Sequence, residues 1–320
     1  MKLKQIFVFL LLLILSRAVS QNPVYEWANS IGSTTASAAS GVVIKADAAG
    51  NIYLTGIFKG ALDVDPSASI TNVTSYAASQ DFFLAKYSNT GALLWAKTIG
   101  GAQADECNGL TIDNAGNILI TGLFKGVVDL DPGVGVTSCS SGTLTGDVFF
   151  EKLDASGNMI WVHTLSNASQ KNGYAITTDQ NNNVIITGYF YGVIDFDPGP
   201  AVTNYTNLSG NNIYYIAKYD ANGNYMWVNI AQQFTGDNFG RSLVCDNNNN
   251  IFFAGEFDGQ LDFDPSSSVN LLTSGGGFDV FFSKFDAAGN LIFVNNASGG
   301  GNDALCSITL DANNNIFIAG

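Results

Sequence analysis

The sequence predicts an all-β fold assembled from a repeating unit of about 66 residues, and three observations carry that prediction. First, DAAGNIYLTGIFKGALDVDP begins at Asp47 and returns as DNAGNILITGLFKGVVDLDP at Asp113, DQNNNVIITGYFYGVIDFDP at Asp179 and DNNNNIFFAGEFDGQLDFDP at Asp246, so the spacing is constant but for one extra residue in the last interval. Second, DFFLAKYSNTGALLW from Asp81 recurs as DVFFEKLDASGNMIW from Asp147, IYYIAKYDANGNYMW from Ile213 and DVFFSKFDAAGNLIF from Asp279, in the same period. Third, the apolar runs between turns are short, rich in β-branched and aromatic residues, and none has the period of a helix.

Taken in order, the first element is a leader. Lys2 and Lys4 precede an unbroken apolar run from Ile6 to Leu15, and Ala18-Val19-Ser20 supplies the small residues of a signal-peptide cleavage site. Residues 1–20 therefore read as a signal peptide cut after Ser20, followed by a repeat domain over 21–320. The apolar core from Ile6 to Leu15 is too short to span a bilayer, so no transmembrane segment is expected and the mature protein is secreted or on the cell surface. Trp27 stands roughly one repeat period before Trp95 and anchors a terminal strand expected around 25–31.

The second repeat shows the plan of the others. Strand a is expected at about 110–113, strand b at 117–124, strand c at 148–153 and strand d at 158–164. The turns DNAGN and DASGN place Asp first and Gly or Asn where the backbone needs a positive φ, as hairpins do. Four-stranded meanders at a fixed period, each with an aromatic on its last strand, predict the antiparallel blades of a β-propeller. A β-solenoid fits less well, because its coils are shorter and need no pair of tight hairpins per repeat. The repeats run over about 28–95, 96–161, 162–227 and 228–293, with a partial fifth over 294–320. DANNNIFIAG from Asp311 stops at Gly320, which aligns with Gly56, Gly122, Gly188 and Gly255, so four complete blades and half of a fifth are expected, cut from a longer protein.

The segments GNIYLTG, DFFLAKYS and GALLWAKTIGG resemble the bacterial β-propeller repeat family known as SBBP, across nearly all of the mature chain. The resemblance implies an extracellular or cell-surface propeller, generally without an assigned enzymatic activity. SNTGALLW and DASGNMIW are also similar to quinoprotein propeller repeats over a short span, without residues that would hold that cofactor.

Composition narrows the function. Charged residues make up only 12% of the chain, and 27 acidic against 13 basic residues leave a net charge of -14, which excludes a nucleic-acid groove or a polybasic membrane patch. One histidine and four cysteines without a CxxC pair exclude the usual zinc constellations. Cys107, Cys139, Cys245 and Cys306 do not recur with the repeat and so form no disulfide framework.

The strongest repeated polar motif is Asp-Xaa-Asp-Pro, at Asp63 and Asp65, Asp129 and Asp131, Asp195 and Asp197, and Asp262 and Asp264. In an extended segment both carboxylates share a face, while Val64, Leu130, Phe196 and Phe263 point the other way. Paired hard oxygens make all of these aspartates calcium candidates; the competing reading has them accepting backbone N–H bonds at a short edge. No other cofactor is required. Lys86, Lys152, Lys218 and Lys284 recur on strand c, where a lysine lays its stem on apolar surface and its head near a carboxylate. Trp95, Trp161, Trp227 and Phe293, with Phe58, Phe124, Phe190 and Phe257, are read as packing between blades. Tyr189, Tyr191, Tyr214 and Tyr215 depart from the repeat, and His163 reads as an ordinary strand residue. No nucleophile, acid or base stands outside the consensus, so the expectation is a non-catalytic module binding an extracellular protein or glycan. A calcium-stabilised repeat array and a glycan hydrolase are the alternatives.

Overall fold

The computed structural model describes residues 27–32, 38–233 and 235–320. The predicted signal peptide and its cleavage site lie outside the described residues. The fold is all-β and its sheets are antiparallel; among the described residues there is no α-helix, and hence none long and apolar enough to cross a membrane.

Four four-stranded units follow one another in chain order. Sheet 1 holds Ala38–Ala46, Ile52–Lys59, Gln80–Tyr87 and Leu93–Gly101 as strands a to d. Sheet 2 holds Glu106–Ile112, Ile118–Phe124, Asp147–Leu153 and Met159–Leu165. Sheet 3 holds Gln170–Thr178, Val184–Asp195, Ile213–Tyr219 and Tyr225–Ile230. Sheet 4 holds Asn238–Cys245, Ile251–Phe257, Asp279–Phe285 and Leu291–Ala297. A hairpin of Ser307–Leu310 and Ile316–Ala319 supplies strands a and b of a fifth unit. Strands b and c of sheet 2 are buried along their whole length, which is why their sequences are continuously apolar rather than alternating.

The expected strand positions hold except for strand a, which begins at Glu106 rather than near Leu110. A β-bulge explains the difference. The register against strand b jumps between Cys107 and Gly109, so Asn108 is an extra residue that hides the period-2 pattern. The same jump occurs between Gly41 and Val43, Gly173 and Ala175, and Gly240 and Ser242.

The apolar core lies between sheets. One cluster joins Phe82, Leu84 and Ile99 of sheet 1 to Leu110, Ile120 and Phe149 of sheet 2. A second joins sheets 2 and 3, a third joins sheets 3 and 4, and a fourth joins Phe252 and Ala254 of sheet 4 to Leu305 and Ile308 of the half unit. On the far flank of sheet 1, Ile31 packs against Phe58 and Phe83 with their neighbours. Phe58, Phe124, Phe190 and Phe257 all sit in these seams, as expected of them. A sheet in this arrangement has no core of its own and depends on its neighbours.

The strand d aromatics carry the packing outward. An alanine Cβ at Gly157 would meet the Trp95 ring at 3.2 Å, and one at Gly289 would meet Trp227 at 3.3 Å, so each indole lies on the glycine turn of the following sheet. Trp27 does the same at Gly91 and donates its Nε1 hydrogen to Asn89 O at 3.1 Å. Residues 27–32 thus take the place of a strand d beside sheet 1, although no strand is assigned to them.

Candidate functional site

Each turn between strands a and b is built by an aspartate. Asp113 Oδ1 accepts the N–H groups of Ala115 and Asn117 at 2.9 and 2.8 Å, Oδ2 accepts Asn117 Nδ2 at 2.9 Å, and Gly116 takes the positive φ of +80°. The recurring lysine of strand c closes on that aspartate. Lys152 Nζ lies 2.9 Å from Asp113, Lys218 2.9 Å from Asp179, Lys284 3.6 Å from Asp246 and Lys86 3.9 Å from Asp47. Lys152 and Lys218 also donate to Ala221 O and Ala287 O, in the next sheet's turn, at 3.4 and 3.2 Å. Lys152 and Lys218 therefore tie a turn to its neighbour.

The Asp-Xaa-Asp-Pro motifs form short hairpins outside strand b. Asp129 Oδ1 accepts Asp131 N at 3.1 Å and Thr137 N at 2.8 Å, and Asp131 Oδ1 accepts Gly133 N at 2.7 Å. Asp195 and Asp197 repeat this with Thr203 and Gly199, Asp262 and Asp264 with Asn270 and Ser266, and Asp63 and Asp65 with Thr71 and Ser67. The intervening Val64, Leu130, Phe196 and Phe263 are buried plugs in the seams. The hairpins also bridge repeats: Gly100 and Gly101 of strand d pair with Asp129 and Val128, and Gly32 N donates to Asp63 O at 3.1 Å. Among the described residues no three acidic, cysteine or histidine side chains converge as a metal site.

These contacts make a prediction. Asp129→Asn keeps the Oδ1 acceptor and is expected to melt within a degree or two of the parent. Asp129→Ala strands two backbone donors and should cost about 1–3 kcal/mol. Thermal unfolding with millimolar calcium and then with chelator checks it: a calcium ligand would make both substitutions equally harmful and only when calcium is present.

The largest departures from the repeat surround a cavity of about 330 Å³ bordered by strand a of all four sheets and by Cys306 and Ser307 of the half unit. Neighbouring strands a contact one another in chain order. The bulge residues Val42, Asn108, Tyr174 and Arg241 all line the cavity, with Cys306 at the aligned fifth position. Arg241 is held in place: its Nε and Nη2 donate to Glu256 Oε2 at 3.2 and 2.9 Å, and its guanidinium lies 4.6 Å over Tyr174 and 4.9 Å over Phe239. Glu256 Oε1 in turn accepts Leu305 N at 2.9 Å.

Sequence reasoning missed these residues. Their signal is the one-residue register slip in strand a, which a spacing count made on strand b cannot see. Of the departures it did notice, Tyr214 and Tyr215 are core residues, Tyr191 is half-buried, and Tyr189 packs on Tyr174 and Phe239 beside the cavity. His163 is half-buried between Trp161 and Phe150, and burial lowers its pKa. All four cysteines are free; Cys107 is buried, and Cys306 is exposed at the cavity rather than packed away.

Comparisons with known proteins agree with the repeat. Residues 94–123 match the model of the SBBP beta-propeller repeat, a stretch running from strand d of sheet 1 through strands a and b of sheet 2. The resemblance read from the sequence is thereby borne out. The chain is 28% identical to an uncharacterized WD repeat-containing protein of Acanthamoeba polyphaga mimivirus over an alignment of 244 residues. That alignment covers 67% of this chain and 17% of the relative, so the chain spans a small part of that protein's length.

Proposed function

We propose that the sheets are blades of a β-propeller and that the protein is a non-catalytic, secreted or cell-surface module that binds a protein or glycan through its loops. The observation that carries this reading is that strands a of successive repeats border one cavity while the apolar seams join consecutive sheets in chain order. Such a scaffold holds loops rigidly and leaves their tips free to vary. The loops that follow strand b each present an exposed aliphatic tip, Ile70, Val136, Val202 and Val269, between 68 and 78% accessible. An aliphatic side chain repeated at every tip serves no seam and suits contact with a partner surface.

The test is a binding screen of the mature protein against immobilised polysaccharides and purified glycoproteins. A quadruple variant, Ile70→Ser, Val136→Ser, Val202→Ser and Val269→Ser, runs in parallel. Retained melting with loss of the bound signal is expected. Equal binding by the variant would remove the loops from the reading.

A further inference from the structure

We propose that the axial cavity is a binding site for an acidic saccharide of one or two sugar units, with the carboxylate taken by Lys45 and Arg241 and the hydroxyls by Asn108, Ser242 and Ser307. The site is separate from the loop tips and stands or falls without them.

Charge is the first reason. The chain carries 27 acidic residues and 13 basic ones, yet among the described residues no Asp or Glu lines this cavity, while Lys45 and Arg241 both do. Glu256 behind the lining balances Arg241, which leaves the Lys45 ammonium as the excess charge of the cavity wall, complementary to one anionic group. Asymmetry is the second. The seams and turns keep the same chemistry from repeat to repeat, but the bulge position reads Val42, Asn108, Tyr174, Arg241 and Cys306. A bulge re-aims a side chain at the expense of ladder bonds, and here the re-aimed residues are those that differ.

Pre-organisation is the third reason. The Arg241 fork is fixed by Glu256 and by two aromatic rings before any ligand arrives, and the guanidinium has five N–H donors, of which Glu256 takes two. A planar fork of this kind suits a carboxylate better than a point charge does. Asn108, Ser242 and Ser307 add neutral donors and acceptors of the sort that sugar hydroxyls use. A volume of about 330 Å³ is at the small end of ligand pockets, large enough for a hexuronic acid and too small for a folded partner.

The experiment is calorimetric titration of the mature protein at low salt with glucuronate and galacturonate, and with glucose and galactose as neutral counterparts. Saturable binding of at least one uronate is expected, with the neutral sugars at least tenfold weaker. Val42→Trp fills the cavity from an already exposed position and should abolish binding with the melting temperature unchanged. Lys45→Gln should weaken uronate roughly tenfold, about 1.4 kcal/mol, and leave any neutral-sugar signal alone. Because Arg241 shares a pair with Glu256, the role of its fork is read from Arg241→Lys, which keeps the charge and loses the planar donors, and uronate binding should weaken roughly tenfold. No saturable uronate binding, equal binding of the neutral sugars, or binding that survives Val42→Trp would overturn the proposal.

Discussion

Gly188→Ala is expected to destabilise the protein by more than about 3 kcal/mol, an unusually large effect for the addition of one methyl group. Its Cβ would lie 1.8 Å from Asn172 O and 2.9 Å from the Tyr215 hydroxyl. The carbonyl is backbone, held in the ladder between strands a and b, and the Tyr215 hydroxyl already donates to Asn172 O at 3.1 Å. Neither can retreat without opening the seam. The same clash awaits a Cβ at Gly122, 1.9 Å from Glu106 O, and at Gly255, 2.0 Å from Phe239 O. Each glycine faces the bulge of its own strand a, which pushes a carbonyl into the space where a side chain would begin. Gly300→Ala, with open space around it, is the control and should stay within about 0.5 kcal/mol of the parent. Urea or thermal unfolding of the two variants decides: a Gly188→Ala protein that melts with the parent would mean that the bulge is not rigid.

This glycine shows what the sequence does and does not disclose. Its recurrence at Gly56, Gly122, Gly188, Gly255 and Gly320 is visible in the repeat, but its cause is a carbonyl on the preceding strand, whose pattern the bulge has scrambled. Features set by local chemistry are legible. The Asp-first turns, the paired lysines and the indole of strand d depend on neighbours at fixed spacing, and they stand where the residues place them. The Asp-Xaa-Asp-Pro motif is half legible: the alternation of face and the buried plug follow from strand geometry, while the use of Asp129 as acceptor for the Thr137 backbone depends on the loop's path. The cavity is not legible at all, because it is lined by the bulge position of each repeat, and those residues meet only once neighbouring strands a pack together.

The seam between sheets 1 and 2 hides a second large effect in Glu151. It occupies the position of Ala85, Ala217 and Ser283 in the other repeats, is fully buried, and neither carboxylate oxygen has a hydrogen-bond partner. Burial, with the charges of Asp131 and Asp129 nearby, pushes its pKa well above the ordinary value, so the folded chain favours the neutral carboxyl. The unfolded chain releases that proton near about pH 4.3 while the folded chain keeps it. Stability contributed by the protonated form is therefore fully present below the unfolded pKa and falls as pH rises, by about 1.4 kcal/mol per pH unit, until the folded pKa is passed. Glu151→Met, apolar and of similar volume, should remove both this slope and the unpaired oxygens, raising the melting temperature at pH 4 and by several degrees more at pH 7. A residual slope should remain in the variant, because Asp105, buried in the same seam with Asp81 beside it, is itself pushed up to about 7. That remainder should level off above pH 7, and Asp105→Lys should abolish it, since the next seam places Lys171 against Asp147 at 2.8 Å in the corresponding positions, although the variant melts lower throughout because the Gly101 and Lys125 N–H groups lose their acceptor. Melting curves of the parent and both variants from pH 4 to 8.5 measure the two contributions, and a parent whose stability does not fall across that range would show that Glu151 has found a partner.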